Sequence, residues 1–148
     1  MSSQVSEYES GPLIGRIMAY RGRNARYFRL ARKVALCSKQ SDYKHGAVLV
    51  KGGSVLNTSC NKNRLVSFGS RFCTEHDGVA TLHAELGAIL GIERNITEGA
   101  SLYVARIGKS GSYRLSKPCP MCTSAMQYVG IKRVYWTIDE HKCAQGRL

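Results

Sequence analysis

Residues 101–138 read SLYVARIGKSGSYRLSKPCPMCTSAMQYVGIKRVYWTI, and this stretch decides the fold class. The runs SLYVARI and IKRVYWTI are rich in β-branched and aromatic residues, which is typical of strands. Between them, Pro118 and Pro120 favour the first turn of a helix that continues to Val129 and ends at Gly130. The polar segment GKSGSYRLSK is interpreted as a hairpin-like excursion. A strand, a helix and a second strand in this order predict an α/β protein.

The preceding residues extend the same pattern. Apolar residues at helical spacing predict a helix over residues 27–39. GAVLVK (46–51), a Gly-Gly turn and SVLNTS (54–59) predict a hairpin. Residues 61–78 lack periodicity and are predicted to form a loop, and TLHAELGAILGI (81–92) predicts a second helix. The ten residues after Ile138 leave little room for a further helix and strand.

Length and composition restrict the class of protein further. A chain of 148 residues with 43% hydrophobic residues is expected to fold as one globular domain, residues 1–148, with residues 1–12 as a loose polar tail. No apolar stretch approaches the roughly 20 residues that span a bilayer. Glu7 and Glu9 precede any basic residue, so we expect no signal peptide, a cytoplasmic location and reduced cysteines.

The chain is strongly basic, with a net charge of +12, and its charge is unevenly distributed. Residues 1–51 contain ten basic and three acidic side chains. No acidic residue lies between Glu9 and Asp42. Such a cluster indicates a surface that faces the phosphates of a nucleotide, a nucleic acid or an acidic partner. The alternative is a solvated helix face in a basic protein.

Two short motifs indicate the chemistry. His83 and Glu85 occur at the predicted start of one helix, and Cys119 and Cys122 at the start of another. One histidine and two cysteines provide three ligands for a tetrahedral zinc ion and leave the fourth position for water. Glu85 is then available to carry protons. A closed structural zinc site, a disulfide and coincidence are the alternatives.

The order H-x-E followed by P-C-x-x-C identifies a resemblance to the cytidine and deoxycytidylate deaminase superfamily, which includes the tRNA adenosine deaminases. The resemblance covers approximately residues 27–138 and implies a three-layer α/β/α fold, in which a mixed sheet of four or five strands has helices on both faces. It also implies a homo-oligomer. By this resemblance His83, Cys119 and Cys122 are the zinc ligands and Glu85 is the proton shuttle.

The resemblance also implies substrate contacts. Ala47 is expected to line the base pocket, Asn61 to contact the sugar or the base, and Ala84 to contribute backbone groups. Lys117 stands where relatives usually have Ser or Glu, and we expect it to face a substrate phosphate. HAELGAIL and residues 130–135 are similar to deoxycytidylate-type enzymes, including viral ones. PCPMCTSAM is more similar to the tRNA adenosine deaminases.

The remaining cysteines are interpreted separately. Cys60, Cys73 and His76 are candidates for a second, structural zinc site, because some deoxycytidylate deaminases have one nearby. Cys143, His45 and His141 are the alternatives for its fourth ligand. The alternative is that these cysteines are small buried hydrophobic residues. Cys37 is predicted to lie in the core, on the apolar side of the first helix.

The leading hypothesis is a zinc-dependent hydrolytic deaminase that converts cytosine to uracil in a nucleotide, dCMP to dUMP. The first alternative is a deaminase that acts on cytosine or adenine in RNA or single-stranded DNA, which the high positive charge favours. The second is a catalytically silent nucleic-acid-binding protein with this fold. The intact Glu85 argues against a silent protein, because a structural zinc site does not need that carboxylate.

Overall fold

The computed structural model describes residues 13–40, 42–65 and 81–148. The predicted tail at residues 1–12 and most of the predicted loop at 61–78 lie outside the described residues. No helix within the described ranges combines the length and the apolar character required to cross a membrane.

The described chain forms nine strands and four helices. The strands are β1 (Gly15–Met18), β2 (Lys44–Lys51), β3 (Ser54–Cys60), β4 (Lys62–Leu65), β5 (Thr81–Leu82), β6 (Ser101–Ile107), β7 (Tyr113–Arg114), β8 (Arg133–Thr137) and β9 (Cys143–Arg147). The helices are α1 (Gly22–Ala35), α2 (Ala84–Ile89), α3 (Arg94–Thr97) and α4 (Pro120–Tyr128).

Seven strands form the main sheet, in the order β1-β9-β8-β6-β2-β3, with β7 paired to the end of β6. Strands β6 and β8 are parallel and are connected through α4, whereas β2 is antiparallel to both β3 and β6. Strands β4 and β5 form a separate two-stranded sheet. The predicted mixed α/β architecture is therefore confirmed.

Alternating side chains of the central strands supply two cores, one on each face of the sheet. Leu49 of β2 and Val104 of β6 pack with α2 and α4 on one face. Val48 of β2 and Tyr103 of β6 pack with α1 on the other face. Because successive side chains of a strand point to opposite faces, both faces are covered by helices, and the fold is a three-layer α/β/α arrangement.

Helix α1 lies unusually close to the sheet at Gly46. A Cβ atom at this position would stand 2.1 Å from the carbonyl oxygen of Ala31 and 2.6 Å from the backbone nitrogen of Ala35. Glycine is therefore required there, because any side chain would push α1 away from β2.

Three local predictions are wrong. The ten residues after Ile138 contain strand β9. No connecting helix is needed, because a tight turn leads into this strand. In that turn the Asp139 carboxylate accepts the backbone N–H groups of His141 and Lys142. With β1 and β7, this strand gives the sheet more than the four or five strands expected. The predicted loop includes β4. Cys37 is exposed, because α1 ends at Ala35 and the helical periodicity no longer applies.

Candidate active site

The predicted ligands lie at the starts of two helices. His83 is the N-cap residue of α2, and Cys119 is the N-cap residue of α4; both have extended backbone conformations. Cys122 lies in the first turn of α4, on the same side as Cys119. The positive ends of both helix dipoles therefore point to the cluster, where they stabilise thiolates.

The position of His83 explains how two residues that are only two positions apart, His83 and Glu85, reach the same cavity. In an ideal helix, side chains two residues apart point to different faces. His83 precedes the helix, however, and Glu85 lies within its first turn. The extended backbone of His83 turns its ring so that both His83 and Glu85 line the same cavity.

The three ligand atoms match the geometry of a zinc site. Nδ1 of His83 lies 3.3 Å from Sγ of Cys122 and 3.7 Å from Sγ of Cys119. A tetrahedral zinc ion, with Zn–S bonds of about 2.3 Å and Zn–N bonds of about 2.0 Å, separates N and S ligands by about 3.5 Å. All three atoms lie within 4.8 Å of one another. The donor set and the spacing therefore fit Zn²⁺.

The electrostatics of the cluster favour one thiolate even without a metal ion. Hydrogen bonds from Cys122 and His83 lower the pKa of the Cys119 thiol to about 4. Hydrogen bonding to Cys119, together with burial, raises the pKa of Cys122 well above its usual value. The hydrogen bond to Cys119 also raises the pKa of His83, although burial opposes this. A divalent cation would stabilise the deprotonated forms of both cysteines.

Glu85 is buried beside these ligands, with only 5% of its surface exposed. Burial raises the pKa of its carboxyl group to about 7, although the charge of His83 partly offsets this. Among the described residues, the group that could hold a metal ion consists of His83, Cys119 and Cys122 and does not include Glu85. The carboxyl group is thus placed next to the cluster without being one of its ligands.

A cavity of about 430 Å³ opens in front of the cluster. It lies where the start of β2, the end of β3 and the N-terminal ends of α2 and α4 meet. Its lining residues are Gln40, Tyr43, His45, Asn61, Lys62, Leu82, His83, Ala84, Glu85, Lys117 and Cys119. Three protein ligands leave one coordination position of a zinc ion open, and the cavity provides space for water and a substrate at that position.

Three of the four residues predicted to contact the substrate line the cavity. Asn61, Ala84 and Lys117 line the cavity, whereas Ala47 is fully buried in the core beneath it and is not a lining residue. The Asn61 side chain is held in place by the backbone. Its Oδ1 accepts the N–H of His45 at 3.0 Å, and its Nδ2 donates to the carbonyl of Tyr43 at 2.6 Å.

The suggested second metal site lies largely outside the described residues. Cys73 and His76 lie outside the described residues, and Cys60 is buried at the end of β3. Cys143, considered as a further ligand, is buried on the α1 side of the sheet, where its thiol donates to the Met18 carbonyl at 3.5 Å. Its position in a core explains why burial raises its pKa to about 11.

Sequence reasoning did not assign His45, Tyr43 and Lys62 to the cavity. Burial lowers the pKa of His45 to about 4, and the positive charges of Arg106 and His83 act in the same direction, so its imidazole is neutral at neutral pH. The Arg106 guanidinium lies 4.5 Å from the centre of the Tyr43 ring. The available signal was position, because Tyr43 and His45 directly precede the predicted strand that begins at Gly46.

Comparison with known proteins agrees with the site. The chain matches the model of the "cytidine and deoxycytidylate deaminase zinc-binding region" over residues 22–138. No curated protein matches it in a direct sequence comparison. A solved structure of dCMP deaminase from the cyanophage S-TIM5 is similar, with 26% identity and a TM-score of 0.53 over 76% of this chain and 79% of that one.

A second solved structure of that cyanophage enzyme, in complex with dCMP and dUMP, has 26% identity and a TM-score of 0.50 over 76% of this chain and 78% of the other. The family match includes His83, Glu85, Cys119 and Cys122, which the fold brings together around one cavity. The chain therefore belongs to the cytidine and deoxycytidylate deaminase family and is a zinc-dependent hydrolytic deaminase.

Proposed function

We propose that this enzyme deaminates the cytosine of a free deoxynucleotide and converts dCMP to dUMP. The observation that carries the proposal is the similarity to the cyanophage dCMP deaminase, which was solved with dCMP and dUMP. A cavity of about 430 Å³ with cationic side chains at its wall is of suitable size for one nucleotide.

His83, Cys119 and Cys122 would hold the zinc ion, which would lower the pKa of a bound water molecule. In the overall reaction the water oxygen bonds to C4 of cytosine, the bond from C4 to the exocyclic nitrogen breaks, and ammonia leaves. We assign the proton transfers to Glu85. Its carboxylate passes one proton of the attacking water to N3 of the base and the second to the departing nitrogen, so that uracil forms in its keto form and no net proton is consumed by the side chain.

The remaining contacts follow from the cavity wall. Ala84, at the first position of α2, places backbone groups beside the cluster and is assigned to the base. Asn61 is assigned to the sugar or the base, because its amide is held at the wall by two backbone hydrogen bonds. A side chain oriented in this way loses little entropy when a substrate binds.

Lys117 and Arg106 are assigned to the substrate phosphate. Lys117 lines the cavity. Arg106 lines an adjoining cavity that shares Tyr43 with the first. The Nε atom of Arg106 is buried and has no hydrogen-bond partner among the described residues. A phosphate oxygen would provide the missing acceptor, and guanidinium groups bind phosphate with strong charge-assisted hydrogen bonds.

The proposal is tested by ammonia release from zinc-loaded protein. The substrates are dCMP, CMP, deoxycytidine, and single-stranded DNA and RNA oligonucleotides. We expect the highest kcat/KM for dCMP and a large loss for deoxycytidine, which lacks the phosphate. Preferential turnover of an oligonucleotide would replace the proposal with the polynucleotide alternative, and turnover of none of the substrates would refute it.

Two variants test the assigned roles. Glu85→Gln should retain zinc and lose about 10²- to 10⁴-fold in kcat. Glu93→Gln, an equal change at an exposed glutamate, should retain both zinc and activity. Lys117→Gln should raise KM for dCMP much more than KM for deoxycytidine; an equal effect on both substrates would contradict a phosphate contact.

A further inference from the structure

The basic side chains of α1 lie on the face of the sheet opposite the zinc ligands. Helix α1 covers one face of the sheet, whereas α2 and α4, which carry the zinc ligands, cover the other. None of the arginines of α1 lines the active-site cavity. The positive charge of α1 therefore cannot be explained by a nucleotide bound at that cavity.

These cations form part of one continuous surface. Arg26, Arg29 and Lys33 line a shallow groove of about 430 Å³. Arg23, Lys51 and Arg133 line a neighbouring cavity of about 330 Å³. Both are also lined by Tyr27 and Gly53, so that they adjoin each other. We call this the basic surface, and its cationic side chains are Arg23, Arg26, Arg29, Lys33, Lys51 and Arg133.

The basic surface has no neutralising carboxylates among the residues that the structure describes. No Asp or Glu lines either cavity. Ion pairs are seen elsewhere, between Arg94 and Glu98, Lys109 and Asp42, and Lys142 and Asp139. Unneutralised cations that line a concave surface produce a positive potential that attracts anions.

The placement of these charges destabilises helix α1. Arg26, Arg29 and Lys33 follow one another at intervals of three and four residues, where like charges repel. The first turn contains Arg23 and no acidic residue, although the positive end of the helix dipole favours acidic residues there. A bound polyanion would relieve both conflicts.

The shape of the surface favours an extended ligand. The cations from Arg23 to Lys33 extend over about 15 Å along α1, at a rise of 1.5 Å per residue, which is the length of several nucleotides. The half-buried Leu30 and the exposed Val55 contribute apolar area between the cations of the groove. Phosphates can contact the cations while sugars or bases contact this apolar area.

We propose that the basic surface binds the sugar–phosphate backbone of a single-stranded nucleic acid, at a site separate from the deaminase cavity. The surface would hold the protein on a strand largely without regard to sequence, because phosphate contacts carry no sequence information. This inference does not depend on the proposed function, since binding on the α1 face can be measured whether or not dCMP is deaminated.

The test measures fluorescence anisotropy of a labelled single-stranded DNA of about 20 nucleotides, with zinc-loaded protein comprising all 148 residues, between about 50 and 200 mM salt. The test variant is Arg26→Gln/Arg29→Gln. The control is Arg94→Gln/Lys142→Gln, which makes the same charge change at two cations already paired with carboxylates. Circular dichroism and thermal unfolding verify that both variants fold.

We expect the test variant to bind at least about fivefold more weakly, and the slope of log Kd against log salt to fall by about 1.4, at about 0.7 per lost phosphate contact. The control should remain within about twofold of the wild type. Equal losses in both variants, or absence of DNA binding by the wild type, would overturn the proposal. Competition by polyglutamate or by free dCMP as effective as that by unlabelled DNA would also overturn it, in favour of an acidic protein or a small anion.

Discussion

Gly87 provides a direct test of how the fold positions the active site. It lies in α2, two residues after Glu85, and its backbone N–H donates to the carbonyl of His83 at 3.0 Å. A Cβ atom at this position would stand 2.0 Å from Oγ and 2.9 Å from Cβ of Ser59 on β3. Rotation of the Ser59 hydroxyl would relieve the first contact but not the second. Gly87→Ala must therefore push α2 away from the sheet.

The expected magnitude follows from two opposing effects. Overpacking costs about 1–3 kcal/mol, whereas alanine in place of glycine in a helix gains up to about 1 kcal/mol. A net loss of about 1–2 kcal/mol corresponds to a decrease in Tm of about 2–8 °C in a domain of this size. Because α2 positions His83 and Glu85, we also expect weaker zinc retention and slower deamination.

A second substitution, Ser59→Gly, provides a stronger test, because in its presence Gly87→Ala should stabilise the protein instead of destabilising it. It removes both clashing atoms, and the next nearest atom to the new Cβ, Cδ1 of Leu82, is at an ordinary 3.8 Å. In the Ser59→Gly background, Gly87→Ala should therefore stabilise the protein by up to about 1 kcal/mol through helix propensity. Thermal unfolding of the four proteins of this cycle, together with their zinc content, measures the coupling. A Gly87→Ala effect of the same sign and size in both backgrounds would refute the argument.

Three further predictions concern the core and the cysteines. Thr137→Val should lower Tm by about 4–8 °C, because the buried Thr137 hydroxyl accepts the backbone N–H of Arg106 at 3.2 Å and the loss of this hydrogen bond costs about 2 kcal/mol. Thr58→Val, at an exposed position of β3, should have little effect on Tm. Iodoacetamide at pH 8 should label the exposed Cys37 and spare Cys143, because burial raises the pKa of Cys143 to about 11. Mass spectrometry of the peptides measures the labelling, and an unlabelled Cys37 would contradict its exposed position. Removal of zinc by a chelator should lower Tm, and addition of zinc should restore it. An unchanged Tm would contradict the metal assignment.

Local patterns predicted the elements well where one face or one spacing dominates. The β2–β3 hairpin follows from two β-rich runs on either side of a Gly-Gly turn, and Gly52 and Gly53 indeed have the positive φ values of 60° and 80° that such a turn requires. The helix after Pro118 ends as predicted before Gly130, which has a φ of 87°. Each of these features depends on residues that are neighbours in sequence.

Predictions failed where distant contacts decide the outcome. Strand β1 exists because Gly15–Met18 pairs with β9, and β9 exists because it can pair with β8. Neither segment has a strong strand pattern of its own. Whether these segments form strands depends on pairing with residues far apart in the chain, which a local sequence pattern does not encode.

The sequence by itself determined the chemistry of the protein. The residue types His83, Glu85, Cys119 and Cys122, in their order and spacing, specify a zinc site with a carboxylate beside it, because few other sites use this set of ligands. It also determined that the protein is strongly basic, although not what the charge is for.

Only the tertiary structure decided where these groups stand relative to one another. It places His83 before α2 and Cys119 before α4, so that two helix ends meet at one cavity. It also places the cations of α1 on the opposite face of the sheet, away from that cavity. The physical reason is that the sheet has an apolar face on each side, and each face must be buried under helices. Which helix covers which face depends on contacts between residues far apart in the chain.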